Sequence, residues 1–279
     1  MVTLSSATHP LSGGELSVRV SARSDRGRVR RINEDSYVAE YPVFLIADGM
    51  GGHDHGDRAS QAVTAAFAGL VGHDSLSQHT VLDALRLAND AVRQISADAQ
   101  GTSIAGSTLS GVAFVADAND CDRYWMAFNI GDSRVYEWED DTLAQLTVDH
   151  SAVQELLDDG SIRPEDAATH PQRNIITRAV GFGENSNADI WMLPAGGRQL
   201  FLICSDGLTK EVSDERIAQL LRLHLGDDAV SIADVLVEAA LTAGGSDNVS
   251  VVIVDSTLVL PERAFGSAEQ FREETLPRI

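Results

Sequence analysis

Cysteine is nearly absent from this 279-residue chain: Cys121 and Cys204 are the only two. Neither sits in a CxxC pair, and Cys204 lies inside the apolar run QLFLIC. This argues against a disulfide framework and favours a reducing cytoplasm. Long hydrophobic runs are also lacking. No apolar stretch approaches the ~20 residues that a membrane span needs. The first residues, MVTLSSATHPLSGG, carry neither a basic n-region nor an apolar h-region, so no secretory signal is read. Positive charge is scarce, with 21 Lys and Arg against 42 Asp and Glu, a formal charge of −21. Such a surface repels phosphate backbones, which sets nucleic acid aside as a partner. It attracts divalent cations, although most surface acids only keep a protein in solution. A cytoplasmic monomer without a membrane partner is the expectation.

What is present points to one continuous domain. Apolar residues make up 43% of the chain, enough for a sizeable core. Residues 1–14 read as a flexible lead-in, 15–260 as the domain, and 261–279 as a polar tail. The apolar run Val43–Ala47 is strand-like and stops at Asp48-Gly49. Ala59, Ala62, Val63, Ala66, Phe67 and Leu70 then repeat at helical spacing, as do Val81, Ala84, Leu85, Ala88, Val92 and Ile95. Strand-like segments follow at Ser107–Ala116, Tyr124–Ile130, Gln199–Cys204 and Val249–Asp255. Ser213 is placed to cap a helix carrying Ile217, Leu220 and Leu221, and Ile232 to Ala240 mark another helix. Strands and helices do not alternate strictly, so an antiparallel α+β layering fits better than a doubly wound parallel sheet.

Four acidic motifs share one design, in which an apolar strand ends and a carboxylate beside glycine appears. They are Ile46-Ala47-Asp48-Gly49, Asn129-Ile130-Gly131-Asp132-Ser133, Cys204-Ser205-Asp206-Gly207 and Gly244-Gly245-Ser246-Asp247-Asn248. A strand end fixes a carboxylate, and a small neighbour lets metal, water or phosphate approach the backbone. Several carboxylates with carbonyl oxygen and water form the ligand set of Mg²⁺ or Mn²⁺. A single Asp-Gly is an ordinary turn. Four of them, together with the segment Ser24–Asp35, are harder to dismiss. On an extended chain Arg30 and Glu34 share a face, so a guanidinium there could clamp phosphate while a carboxylate orients a water. Arg26, Arg28 and Arg31 are read as a solvated surface.

The stretches Arg30…Asn33-Glu34-Asp35, Ala47 to His53, Gly131-Asp132-Ser133-Arg134, Ser205-Asp206-Gly207 and Gly245-Ser246-Asp247-Asn248 closely resemble bacterial type 2C protein serine/threonine phosphatases of the PPM family, in order and approximate spacing. The resemblance runs from about Ser21 to Asp255. Asp149-His150-Ser151 through Asn174 looks like that family's flap subdomain, placed at about 149–180. The resemblance implies a four-layer α-β-β-α sandwich with two antiparallel sheets and metals at one end. It implies that Asp48 bridges two Mn²⁺ or Mg²⁺ ions, joined by the Gly49 carbonyl. Asp206 and Asp247 would complete the first metal and Glu34 would support the second, while Asp132 shares a third, weaker site with Asp206. Arg30 would hold the substrate phosphate, and His53 would protonate the leaving serine or threonine oxygen. The implied reaction is hydrolysis of phosphoserine and phosphothreonine in proteins, reversing a serine/threonine kinase. Neither cysteine lies in a CX₅R loop, which agrees with a mechanism that needs no covalent phosphoenzyme.

Two departures stand out. His53 lies five residues after Asp48, and Ile104-Ala105-Gly106-Ser107-Thr108 replaces the commoner Gly-Thr-Thr run. Rival readings compete with the phosphatase. His53-Asp54-His55-Gly56-Asp57-Arg58 resembles the HxHxDH zinc signature of metallo-β-lactamase-fold hydrolases, with Arg58 where the last histidine belongs. That reading leaves Asp48, Asp132, Asp206 and Asp247 without a role. A binding module that had lost its ligands would not retain every expected acid. Phosphatases of anti-sigma-factor antagonists differ from the first reading only in substrate.

Overall fold

A computed structural model describes residues 2–11, 14–51, 55–74, 76–98, 105–117, 122–167, 169–182, 187–227 and 230–259. In chain order the elements are β1 (Val2–Leu11), β2 (Gly14–Asp25), β3 (Asp35–Glu40), β4 (Val43–Met50), α1 (Gly56–Ala68), α2 (Gln78–Asp98), β5 (Gly106–Ser107), β6 (Leu109–Ala116), β7 (Arg123–Ile130), β8 (Arg134–Glu139) and β9 (Thr142–Gln145). They continue with α3 (Ala152–Asp158), α4 (Pro164–Ala167), β10 (Asp189–Pro194), β11 (Gly197–Cys204), α5 (Asp206–Thr209), α6 (Asp214–His224), α7 (Ile232–Ala243) and β12 (Val249–Val259). One sheet has the order β1-β2-β12-β11-β8-β9 and the other β10-β7-β6-β4-β3, with β5 beside β4. All pairings between these strands are antiparallel. The expected α+β four-layer sandwich is what forms.

The layers follow from strand periodicity. Side chains alternate across a strand, so a central strand covered on both faces must be apolar at every position. In β4, Phe44 and Ile46 enter the core between the sheets, while Val43, Leu45 and Ala47 pack on α1 and α2. In β12, Val252 and Val254 face the inter-sheet core, while Val249, Val251 and Ile253 meet α6 and α7. Trp125, packed among Phe44, Phe114 and Phe201, fills the middle of the sandwich. The Ser213 side chain caps α6 by accepting the Arg216 N–H, as its position suggested.

Two expectations are corrected. The segment read as a flexible lead-in is strand β1, paired with β2 from Val2↔Arg23 to Leu11↔Gly14. It is an edge strand whose described side chains lie mostly in solvent, so its backbone pairing leaves no apolar pattern to read. Arg30 and Glu34 do not lie on an extended strand either. Residues 26–34 form a bent loop entered through Gly27 at φ 77°, where a Cβ would also sit 2.1 Å from the Asp247 carbonyl oxygen. The region read as a flap contains α3 and α4, and it is tied back by the bridges Ser151↔Ile176 and Ser107↔Val180. Residues 261–279, His53 and Cys121 lie outside the described residues. No described helix is long and apolar enough to cross a membrane.

Candidate metal centre

The four acidic motifs converge at one end of the sandwich. Asp48 lies near the end of β4, directly opposite Asp35 of β3. Asp132 follows β7, and Asp206 follows β11 and opens α5. Asp247 departs from the expected design, because it precedes β12 rather than ending a strand. The outcome is the same, since Cys204 at the end of β11 pairs with Val251 near the start of antiparallel β12. One strand's end and its neighbour's beginning share a sheet edge.

Buried hydroxyls build the floor of this edge. The Asp48 N–H donates to Thr108 Oγ1 at 3.0 Å, and Thr108 Oγ1 is 2.7 Å from Ser133 Oγ. Ser107 donates its hydroxyl to the Asp48 carbonyl at 3.1 Å. Beneath Asp48, Asp35 accepts from Ser205 Oγ and Ser250 Oγ at 2.8 and 2.7 Å. These contacts fix the backbone and the buried acid below, while the Asp48 carboxylate faces its acidic neighbours.

Those neighbours repel one another. Burial, then the charges of Asp35, Asp206, Asp132 and Asp247, push the Asp48 carboxyl well above its ordinary range. Burial and Asp206 raise Asp132 to about 7. Asp35 also reaches about 7 through burial and the Asp206 and Asp247 charges, which outweigh its two serine donors. Asp206 is raised by burial and Asp247, with Lys210 opposing. Asp247 differs: burial acts to raise it, but Lys210, the Asn248 N–H and Arg30 hold it below the usual carboxylate range. Buried oxygens normally find donors, yet Asp35 Oδ1, Asp132 Oδ1 and Asp206 Oδ1 find none among the described residues.

The 26–34 loop brings the remaining groups. Asn248 pins it, donating from Nδ2 to the Arg26 and Ile32 carbonyls and accepting the Glu34 N–H, each at 2.9 Å. This places Arg30 on Asp247, with Nε 2.9 Å from Oδ1 and Nη2 2.9 Å from Oδ2. Glu34 and Gly49 meet across Gly56. A Cβ on Gly56 would stand 2.2 Å from Glu34 Oε1 and 3.0 Å from the Gly49 carbonyl oxygen. Glycine is required there for two oxygen donors to approach the same small volume.

The donor set suits a hard divalent cation: carboxylates and one carbonyl, with buried lone pairs that no described N–H or O–H takes up. No three His, Cys, Asp or Glu side chains are drawn to ligand spacing among the described residues. Two cationic side chains stand among the acids instead, Arg30 on Asp247 and Lys210 on both Asp206 and Asp247.

A model of the family described as Protein phosphatase 2C matches residues 28–231. The chain belongs to the protein phosphatase 2C family. Serine/threonine protein phosphatase PstP of Mycobacterium tuberculosis is 41% identical over 248 residues, 86% of this chain and 45% of the relative. The chain thus spans less than half of that relative's length. Serine/threonine phosphatase stp of Listeria innocua is 32% identical over 253 residues, 85% of this chain and 95% of the relative. The crystal structure of the catalytic domain of PstP in complex with two manganese ions aligns with a TM-score of 0.76 at 37% identity, covering 87% of this chain and 99% of that one.

Membership in the protein phosphatase 2C family removes the zinc-hydrolase reading. Gly56, Asp57 and Arg58 open α1 rather than complete a ligand loop, and His55 is its N-cap residue. Sequence reasoning missed several residues of the site. Asn248 enters the motifs only as the neighbour of Asp247, nothing local marks the serines below Asp35, and Lys210 stands outside every motif. The Asp149-His150 pair was assigned to the flap, yet it anchors the Asp132 turn. Asp149 takes Arg134 Nε and Nη2 at 2.9 and 2.7 Å, and His150 Nδ1 accepts the Gly131 N–H at 3.0 Å. A backbone N–H on Nδ1 leaves Nε2 to carry the imidazole proton toward Asp189, 3.1 Å away.

Proposed function

We propose that the chain hydrolyses phosphoserine and phosphothreonine in proteins, using water activated between two divalent metals, and so reverses serine/threonine kinase signalling. The observation that carries this is the set of acids around Asp48, with Asp132 Oδ1 and Asp206 Oδ1 buried and without donors among the described residues. Asp48, Asp206 and Asp247 would hold one metal, with Asp48, the Gly49 carbonyl and Glu34 serving the second. Asp132 would share a third with Asp206. When bound, Mn²⁺ or Mg²⁺ supplies the positive charge that brings the pKa of water toward neutrality and offsets phosphoryl charge.

The chain's own residues supply the rest. Arg30 is half exposed and presents its guanidinium at the mouth of the site, where it can leave Asp247 to take phosphate oxygens in pairs. His53 is assigned the proton for the leaving alkoxide on the strength of the family resemblance, since an alkyl oxygen leaves poorly without one. A thiol route is disfavoured for Cys204, which is fully buried and whose thiol is raised chiefly by that burial. The named activities of PstP and stp support a phosphoprotein substrate.

The test is phosphate release from a phosphothreonine peptide in Mn²⁺ and in EDTA, for the unmutated chain and Asp206→Asn. Mn²⁺-dependent turnover is expected, falling about 10³-fold in the variant, as losing a metal ligand removes several kcal/mol of transition-state stabilisation. Full activity in EDTA, or near-normal turnover by Asp206→Asn, would refute the reading.

A further inference from the structure

Lys210 is the only lysine among the 21 Lys and Arg residues of the chain. It follows α5 as its C-cap, and its backbone N–H donates to the Asp206 carbonyl at 2.8 Å. The ammonium is in contact with Asp206 Oδ2 and lies 3.0 Å from Asp247 Oδ2. These are the two carboxylates assigned above to the first metal. The one lysine of the molecule thus holds its ammonium against two carboxylates inside the acidic cluster.

We infer that Lys210 is an internal counter-ion that competes with the divalent metal for Asp206 and Asp247, and so sets the metal affinity of the site. This rests on the metal-centre reading proposed above. The oxygen lone pairs that Lys210 occupies on both acids belong to the set that a metal at the first position needs. A monovalent and a divalent cation held against the same carboxylates also repel each other at short range. Lysine suits such an exchange better than arginine would. Its ammonium is a compact point charge on a flexible stem, and releasing it breaks no bidentate fork. With its side chain one-third exposed, the head has open solvent to move into. Until it leaves, Lys210 offsets the repulsion that burial imposes on Asp206 and its neighbours. The two roles are reciprocal: whatever Lys210 takes from metal affinity, bound metal takes from the Lys210 contacts.

Two measurements on the full chain test this. The first is calorimetric titration with MnCl₂ after chelator treatment and dialysis, comparing the unmutated chain with Lys210→Met. The variant is expected to bind Mn²⁺ about tenfold more tightly, a typical size for coupling between two mutually exclusive ligands, and to melt at a lower temperature in EDTA. The second needs no variant. With a single lysine, brief acetylation read by peptide mass spectrometry reports Lys210 alone, and the N-terminal amine serves as the reference. Saturating Mg²⁺ is expected to speed Lys210 acetylation about tenfold over EDTA, because the displaced amine moves out into solvent. Unchanged or weaker Mn²⁺ binding by Lys210→Met, or acetylation slowed by Mg²⁺, would overturn the inference while leaving the metal centre standing. An unmutated chain that took up no Mn²⁺ would overturn the metal centre itself.

Discussion

Two neighbouring parts of the same sheet edge bury carboxylates to similar depth and treat them in opposite ways. The Asp149 side chain is 11% exposed and accepts from Arg134 through two nitrogens and from Gln145 Nε2 at 2.9 Å. Arg134 in turn donates to Tyr136 Oη, which donates to Asp214. Every charge in that chain has a partner. The Asp206 side chain is 15% exposed, and one of its oxygens meets Lys210 while the other has no donor among the described residues. Asp132 likewise keeps an oxygen without one. A paired buried ion is costly to break, whereas an underpaired cluster costs stability while it stands. The first region holds the Asp132 turn in place, and the second keeps buried oxygens that no described donor takes up.

Breaking the paired region is therefore expected to have the larger effect on folding. Asp149→Ala leaves the Arg134 guanidinium, itself largely buried, without its carboxylate. The expected loss is about 3 kcal/mol of unfolding free energy, read by urea denaturation. It is expected in EDTA and in Mn²⁺ alike, because Asp149 is assigned to no metal. Loss of less than about 0.5 kcal/mol would place Arg134 among ordinary surface pairs.

The underpaired region is expected to show itself through pH, with a smaller and graded effect. Asp35 and Asp132 have folded-state pKa values of about 7, above their unfolded values. A raised folded pKa gives stability that is complete below the unfolded value, near 4, and is lost as pH rises through about 7. In EDTA the unfolding free energy should thus fall between pH 5 and 8, by roughly 2–3 kcal/mol for each group at most. Asp247 and Asp189 are lowered instead, so their contributions change only below pH 4 and leave this window alone. Saturating Mn²⁺ should flatten the slope. A midpoint that rose with pH in EDTA would contradict the underpaired account.

Much of this was legible in the sequence, for a physical reason. β4, β7, β11 and β12 are covered on both faces over most of their length, so they appear as apolar runs, and the acids beside them stand out: Asp48, Asp132 and Asp206 stand at the ends of the first three and Asp247 precedes the fourth. β1 and β9 are edge strands with mostly solvent-facing side chains, which leaves their pairing without a signature. The Asp247 motif was read as a strand end because Gly-Ser-Asp-Asn looks the same on either side of a strand. Lys210, Asn248 and Asp35 gain their meaning from partners far along the chain, such as Asp247, Arg26 and Ser250. Only the folded arrangement supplies those partners.

The account's central claim is that the underpaired acids, and not the paired ones, hold the metals. Counting Mn²⁺ by electron paramagnetic resonance on full-length Asp48→Asn and Asp149→Asn tests it most directly. Two bound ions per chain are expected for the unmutated protein and for Asp149→Asn. Asp48→Asn should lose both, since its carboxylate is assigned to each metal. Two ions retained by Asp48→Asn with unchanged affinity would contradict the claim.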